Sequence, residues 1–295
     1  MNEDVIFCFV ILHYKTIEDT EKCIQSILAL DSCFNARILV LDNGSNNGTG
    51  EQLEEKYLGI PNIKISISDV NLGFSKGNNL AYTIAKNSFN PDFMIVCNSD
   101  IIFEQKNTLE LIRQIYNETT FHIMGPDIYI PDVCFHANPL EIEPKSIEEI
   151  QHEIKICKKN LKNLKKACFY DSLQAEKIKA INLIRKLINR EKKPAAAIEN
   201  VVLQGACYIL SKNYIKNQDR IFCQMDSFYF EEYFVYKECS LKGYKIVYDP
   251  KIRVIHNESS ATKKNLSNQI ERKKFKLLNL IKSMKTYCEV YGNES

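Results

Sequence analysis

Short apolar segments alternate with helical patterns through the first 130 residues, and this alternation restricts the fold more than any other feature of the sequence. Val5–Leu12 is a continuous apolar run, and Ile38–Leu41 and Phe93–Cys97 are similar runs further along. Such runs are typical of strands buried on both faces of a parallel sheet. The segments between them have helical periodicity, so we expect an α/β protein with helices flanking the sheet.

Smaller patterns locate further elements of this half. Thr16 and Asp19 form a capping-box pattern before a helix. The alternation at residues 63–67 predicts a half-buried strand. Further helices are expected after the loop at residues 71–79 and near residues 106–116.

The middle of the chain has a different composition. Residues 151–193 contain thirteen Lys or Arg and four Asp or Glu, a local charge of +9, whereas the whole chain carries +2. This stretch has helical periodicity and no glycine, so we expect a basic helical hairpin inserted into the domain. The α/β pattern then returns, and the last predicted element is a basic amphipathic helix. The predicted elements are a strand to Leu210, a helix at 231–242, strands at 246–248 and 252–255, and the final helix at 271–291.

Composition excludes several classes of protein. The 295 residues are 45% hydrophobic, enough for a large core, and the small net charge gives no support for a nucleic-acid partner. The eleven cysteines include no Cys-x-x-Cys pair, so we expect reduced thiols, with Cys8, Cys97 and Cys207 in the core. With no signal-peptide pattern and no apolar run longer than eight residues, a cytoplasmic protein is expected.

Polar residues follow three of the predicted strands. Asn98-Ser99-Asp100 ends the strand at residues 93–97, where open α/β sheets bind ligands, and Asp100 there could hold a divalent metal against a diphosphate. Asp42-Asn43-Gly44-Ser45 follows the second strand and could receive a nucleotide. His13 follows the first strand, and a nucleotide-facing role is one interpretation. Ordinary turn or helix-cap roles remain alternatives for the first two motifs, and a structural role remains the alternative for His13.

Three more features could belong to the same site. Asn71–Asn79 is a loop that opens a helix, in which Gly73 permits close backbone approach, Lys76 supplies positive charge and Asn78 is a further candidate for nucleotide binding. Glu231-Glu232 lies among aromatic residues, where desolvation would raise basicity. Adjacent helical residues point about 100° apart, so one of the two is expected to face the site. His256 ends another apolar strand, where it could be a metal ligand, contact the diphosphate or have a structural role.

These motifs, in this order, make the chain resemble glycosyltransferase family 2, especially the rhamnosyltransferase-like members of bacterial polysaccharide assembly. The resemblance covers residues 5–130 and 200–260. It implies the Rossmann-like GT-A fold, a mixed but mainly parallel sheet. It also implies a nucleotide-sugar donor, a divalent metal (Mg²⁺ or Mn²⁺) and inversion at the anomeric carbon. The segments that carry the resemblance are Ile11–Tyr14, Val40–Ser45, Asn71–Asn79, Cys97–Asp100, Gln204–Cys207, Phe230–Glu232 and Gly243–Tyr248.

Carried over by position, the resemblance gives each candidate a role. Asp42 and residues 71–78 would bind the nucleoside, Asp100 the metal, and Glu232 would be the catalytic base. Residues 1–136 would be the nucleotide-sugar half, 137–199 an insertion, 200–262 the acceptor and catalytic half, and 263–295 a terminal helix. The remaining candidates are His13, Asn43 and Ser99 for the nucleotide, Glu231 beside the base, and His256 for the metal.

Three residues depart from the family pattern. Asn98 replaces the first acid of Asp-x-Asp, Glu232 is one methylene longer than the usual aspartate, and Phe234 replaces a second acid. The departures at Asn98 and Phe234 keep open a second interpretation, a degenerate nucleotide-sugar-binding or scaffolding protein. A nucleotidyltransferase is a second rival, although residues 13–16 contain no glycine for its phosphate loop.

The expected reaction moves a sugar from dTDP-rhamnose or a UDP-sugar to a saccharide or polyprenyl-linked acceptor in cell-surface polysaccharide synthesis. The basic insertion and terminal helix are compatible with contact to anionic lipid at the inner face of the cell membrane. Contact with a second subunit, as in a homodimer, and plain exposure to solvent remain alternatives.

Overall fold

The computed structural model describes residues 5–187, 195–223, 228–257 and 269–292. Strands and helices alternate through its first half, as the apolar pattern predicts. The strands are β1 Phe7–His13, β2 Ala36–Asp42, β3 Ile63–Ile67, β4 Phe93–Asn98, β5 Ile101–Ile102, β6 Ile123–Ile130, β7 Phe135–His136, β8 Ile198–Glu199, β9 Cys207–Ser211 and β10 Ile246–His256. The helices are α1 Ile17–Leu28, α2 Thr49–Tyr57, α3 Gly73–Phe89, α4 Thr108–Thr119, α5 Ile147–Lys162, α6 Leu164–Leu187, α7 Lys212–Asn217, α8 Glu231–Leu241 and α9 Gln269–Tyr291.

One mixed sheet joins both halves of the chain, in the order β3-β2-β1-β4-β9-β6-β10-β5, with β7 beside β6 and β8 beside β10. The strands β3, β2, β1 and β4 are parallel to one another, and β6 is parallel to β10. Only β9 separates the two groups, antiparallel to both β4 and β6. The carboxyl ends of the parallel strands therefore share one edge, where ligands bind in open α/β sheets.

Two apolar layers cover the faces of the sheet. On one face α1, α2 and α4 pack against β1, β2 and β4, and on the other face α3, α7 and α8 do so. Cys8, Cys97 and Cys207 are buried in these layers, which confirms their prediction as core residues. All eleven cysteines are free thiols.

The predicted helical insertion is present as α5 and α6. Ser146 caps α5 with a capping box, in which its hydroxyl accepts from the Glu149 amide and the Glu149 carboxylate accepts from the Ser146 amide. Ile150 and Ile154 pack in a third cluster with α8 and with Met284 of α9. Among the described residues no helix is long and apolar enough to cross a bilayer.

Two local predictions are wrong. Thr16 precedes α1, but its side chain makes no capping bond; its carbonyl accepts from the amide and hydroxyl of Thr20 instead. The strands predicted at 246–248 and 252–255 are one strand, β10, with a bulge between Asp249 and Arg253. Pairing with β6 on both sides of the bulge holds β10 together across Pro250.

Candidate active site

The ends of three parallel strands form the floor of the candidate site. His13 pairs with Asp42 in the β1–β2 register, and Leu12 pairs with Asn98 in the β1–β4 register. The sheet thereby brings together three of the predicted motifs, which are far apart in sequence. Their side chains nevertheless have different surroundings.

Asp42 is buried under the turn that follows β2. Its Oδ1 atom accepts hydrogen bonds from the amide (3.2 Å) and the hydroxyl of Ser45. Its other carboxylate oxygen lies over Gly50 of α2, where any β-carbon would collide with it. Because residue 50 is a glycine, the Asp42 carboxylate has room at the end of β2.

Asn43 holds the predicted nucleotide loop in position. Its side-chain amide donates to the Gly73 carbonyl (3.0 Å) and to Asn71 Oδ1 (3.3 Å), and its oxygen accepts from the Leu72 amide (3.0 Å). Gly44, with φ +66°, lies against the backbone of Val70, where a side chain would not fit. Asn43 thus acts on this loop within the protein, and its contact with a nucleotide stays a prediction.

The loop leads into the amino terminus of α3. Gly73 has φ +77°, a conformation that favours glycine. Asn78 is buried and donates to the Phe74 carbonyl (3.0 Å), while Lys76 is partly exposed in the same first turns. The buried hydroxyl of Ser75 has no hydrogen-bond partner in the described part of the chain. Helix amides, a lysine and a free hydroxyl are suited to an anion at this point.

His13 is fully buried, and both of its ring nitrogens have partners inside the protein. Nδ1 lies 2.7 Å from the Thr20 hydroxyl and Nε2 lies 2.9 Å from the Thr49 hydroxyl. Burial lowers the pKa of His13, although the nearby Asp42 carboxylate opposes this effect. These contacts favour a structural role that links β1 to α1 and α2, and a nucleotide contact by His13 stays a prediction.

Asp100 and His256 lie side by side. The short strand β5 pairs antiparallel with the end of β10, so that Ile101 lies opposite His256. His256 Nε2 is 3.2 Å from Asp100 Oδ1, and the side chains are 8% and 12% exposed. Ser99, in the turn before Asp100, is partly exposed. The two predicted metal ligands therefore meet, although 155 positions of sequence separate them.

This pair fits a small divalent ion in part. Two ligand atoms about 2.1 Å from an ion and at right angles are about 3.0 Å apart, close to the separation of His256 Nε2 and Asp100 Oδ1. The described residues bring no third histidine, cysteine or acid to them. Further ligands would have to be water or phosphate oxygens, as is common for such ions. An imidazole ligand favours Mn²⁺ over Mg²⁺.

Glu231 and Glu232 occupy the first turn of α8, and their carboxylates differ. Glu231 is buried, its Oε1 atom accepts from the Tyr229 amide (3.0 Å), and burial together with the Glu232 charge raises its pKa to about 8. Glu232 is partly exposed, and its Oε1 atom accepts from the Gly205 amide (3.3 Å). Burial raises the pKa of Glu232, and the backbone amides and the Lys276 charge reduce the increase. Of the two acids, Glu232 is the more accessible.

The terminal helix α9 completes this side of the site, which the sequence motifs did not indicate. Tyr229 and Phe230 have φ of +71° and +76°, a strained conformation for bulky residues. Asn279 Oδ1 accepts from the Phe228 amide (3.2 Å), and the Phe228 ring packs against Phe275 (5.5 Å between centroids). Phe228 also approaches Gly73 of the nucleotide loop. The helix therefore supports the turn that orients the acid pair.

Comparisons with known proteins agree with the predicted family and fold. The pattern of the family described as "Glycosyl transferase family 2" matches residues 8–172, more than half of the chain. The structure of Staphylococcus aureus TarS residues 1–349 superposes with a TM-score of 0.52 at 13% identity, and the same fragment in complex with UDP superposes with 0.52 at 15%. Each superposition covers 95% of this chain and 65% of the other, slightly less than two thirds of its length. None of the curated proteins compared with the chain matches it. The superpositions confirm the GT-A fold.

Proposed function

Because the chain belongs to glycosyltransferase family 2, we propose that it is an inverting glycosyltransferase that uses a nucleoside-diphosphate sugar. The observation that carries this proposal is the position of the acid pair. The Gly205 amide donates to Glu232 Oε1, and the carbonyl of the following residue, Ala206, accepts from the backbone amide of Asn98 at the end of β4 (2.9 Å). The proposed base and the Asn98–Asp100 turn thus adjoin the same sheet edge, which supports the proposal.

In this proposal the donor lies across the carboxyl ends of β1, β2 and β4. Asp42, the loop from Gly73 to Asn78 and Ser99 contact the nucleoside diphosphate, and Asn43 keeps the loop in place. Lys76 and the amino terminus of α3 offer positive charge to the diphosphate. The UDP complex of the TarS fragment supports a uridine nucleotide, although dTDP-rhamnose remains an alternative donor.

Asp100 and His256 would hold the divalent ion against the diphosphate. Such an ion, when bound, supplies positive charge for the departing diphosphate. Asp100 would contribute a carboxylate ligand and His256 an imidazole ligand through Nε2, which lies 3.2 Å from Asp100 Oδ1. Because Asn98 takes the place of the first family acid, the site has fewer charged ligands than Asp-x-Asp relatives have.

Glu232 performs the proton transfer. Its carboxylate accepts the proton of an acceptor hydroxyl while that oxygen bonds to the anomeric carbon on the face opposite the diphosphate. The carbon–oxygen bond to the diphosphate breaks, its electron pair leaves with the diphosphate, and the anomeric configuration inverts. The raised pKa of Glu232 increases its basicity, and general-base catalysis contributes about 10²–10⁴-fold to rate.

The acceptor in this proposal is a saccharide or lipid-linked saccharide of cell-surface polysaccharide synthesis, reached from the cytoplasmic side of the membrane. The proposal divides the chain into four regions, of which 137–199 are the insertion and 263–295 the terminal helix. Residues 1–136 bind the donor, and 200–262 supply the base and the acceptor contacts.

A second candidate function has one observation in its favour. Phe234, where many relatives have a second acid, is fully buried against Tyr287 of α9 and contributes nothing to a polar site. A protein that binds nucleotide sugars without transfer would tolerate this loss. Release of nucleoside diphosphate from UDP-, GDP-, dTDP- and CDP-sugars with Mn²⁺, compared with EDTA, tests the proposal. Release from one donor supports it, and binding of a donor without any release favours the second candidate.

A further inference from the structure

One side of helix α6 of the insertion packs against the rest of the domain, and the opposite side is uncovered. Its buried residues are Ala167, Cys168 and Asn182. Asn182 donates to the Val133 carbonyl (3.1 Å), and Ser172 Oγ lies 3.0 Å from Gln269 Nε2 of α9. Asp171 pairs with Lys273 of α9. These contacts define the side of α6 that faces the domain.

The opposite side of α6 exposes large apolar residues to solvent. At 100° per residue, four of them fall within a sector of about 60° that lies roughly opposite the buried residues. We call these four residues the α6 stripe; Tyr170, Ile181 and Leu183 flank it. The stripe consists of Phe169 (63% exposed), Leu173 (48%), Ile184 (58%) and Leu187 (77%). An uncovered apolar surface of this kind marks an interaction site.

Positive charge surrounds the α6 stripe. On the helix, Lys166 lies within the sector of the stripe and Lys177 lies just beside it. Further around the helix are Lys165, Lys179 and Arg185. The helix carries two acids, of which Asp171 is paired on the domain side and Glu176 is exposed near the stripe. Apolar side chains among lysines are the pattern of a helix that lies in the interface of an anionic bilayer.

We propose that α6 docks on an anionic lipid surface, with the α6 stripe in the boundary between headgroups and acyl chains and the lysines on the lipid phosphates. The charge pattern favours lipid over a second copy of the chain. In a symmetric pair of chains the lysines beside the stripe of one copy would approach those of the other copy and repel them, whereas an anionic lipid surface neutralises their charge. The proposal goes beyond the transfer reaction and does not depend on it.

Sedimentation of the full chain with vesicles tests the proposal. Vesicles of phosphatidylcholine alone are compared with vesicles of phosphatidylcholine and phosphatidylglycerol. We expect binding to the anionic vesicles only. The triple variant Phe169→Ser/Leu173→Ser/Ile184→Ser should lower the partition coefficient about tenfold or more, because it removes three inserted apolar side chains. The double variant Lys166→Gln/Lys177→Gln should weaken binding several-fold, and salt should weaken the wild type.

A matched variant, Phe34→Ser/Leu58→Ser/Leu241→Ser, removes three apolar residues that are at least half exposed on other parts of the surface, and it should bind as the wild type does. The circular dichroism spectrum and the rate of donor hydrolysis in solution should be the same in the stripe variant as in the wild type. A loss of vesicle binding in this variant is then distinguished from a loss of folding or of the transfer reaction. Absence of wild-type binding to anionic vesicles would overturn the proposal, as would unchanged binding by the stripe variant. A lipid-free dimer that becomes a monomer in the stripe variant would overturn it in favour of a second copy.

Discussion

Glu232 Oε1 accepts a hydrogen bond from the amide of Gly205 at 3.3 Å, which anchors the carboxylate to the segment that leads into β9. Because β9 runs antiparallel between β4 and β6, its beginning lies at the edge where β4 ends. The acid of α8 and the Asn98–Asp100 turn are thereby held against the same edge by backbone contacts.

The first prediction concerns Gly205. A β-carbon at this position would lie 3.0 Å from Glu232 Oε1, too close for the present carboxylate position. We expect Gly205→Ala to lower kcat about tenfold or more with little change in KM for the donor, because a small displacement of a base is costly. Gly59→Ala, at a glycine with φ +80° and no neighbour within 4 Å of the added β-carbon, strains the backbone outside the candidate site and serves as the control for lost stability. Steady-state kinetics that show equal losses in both variants would contradict this role for Gly205.

The second prediction concerns Asp100 and His256. Asp100→Asn and His256→Ala should each weaken Mn²⁺ binding about tenfold or more, because even the loss of a residue that only orients a metal ligand lowers metal affinity by about this factor. Electron paramagnetic resonance of Mn²⁺ in the presence of nucleoside diphosphate measures the affinity. Asp219→Asn, which removes an exposed partner of Lys86, should have no effect. Unchanged Mn²⁺ affinity in both site variants would remove the pair from the metal site.

The third prediction concerns stability and pH. The pKa of Glu231 is raised to about 8, so the folded protein holds this proton more tightly than the unfolded chain. The corresponding stabilisation is complete below about pH 4.5, declines as pH rises, and is lost near pH 8. Glu231→Gln stays neutral, and its melting temperature should rise by a few degrees relative to the wild type between pH 5 and 8. The melting temperature of Glu54→Gln, a change at an exposed site, should follow that of the wild type at every pH. A difference in melting temperature between Glu231→Gln and the wild type that stays constant with pH would contradict the raised pKa of Glu231.

The fourth prediction concerns Lys276 of α9. Its Nζ atom lies 5.6 Å from the centre of the Tyr229 ring, and its charge lowers the pKa of Glu232 against the effect of burial. In Lys276→Gln the pKa of Glu232 should rise, so the rise of kcat with pH should move to higher pH. Lys282→Gln, an exposed lysine of the same helix, should leave the profile in place. Superimposable pH profiles for Lys276→Gln and the wild type would exclude this effect.

The sequence predicted the elements whose pattern is local. Apolar runs located β1, β2 and β4, and polar residues after them marked the edge on which the site is built. The contact of Asp100 with His256 depends on the pairing of β5 with β10, which no local pattern specifies. The same holds for the contact of Gly205 with Glu232 and for the support of Phe228 by Asn279, because both are contacts between distant segments. For His13 and Asn43 the motif position predicted a nucleotide contact and gave no sign of the hydrogen bonds that each side chain makes within the protein.

The most direct test of the central claim is a paired measurement on Glu232→Gln of donor binding and turnover. Calorimetry with the donor should give a Kd close to that of the wild type, because the amide keeps the shape and the contact with Gly205. Turnover should fall about 10²-fold or more, because the amide accepts no proton. Glu238→Gln, on the same helix but paired with Arg220, should retain full turnover. Near-normal turnover in Glu232→Gln would contradict the assignment of Glu232 as the base.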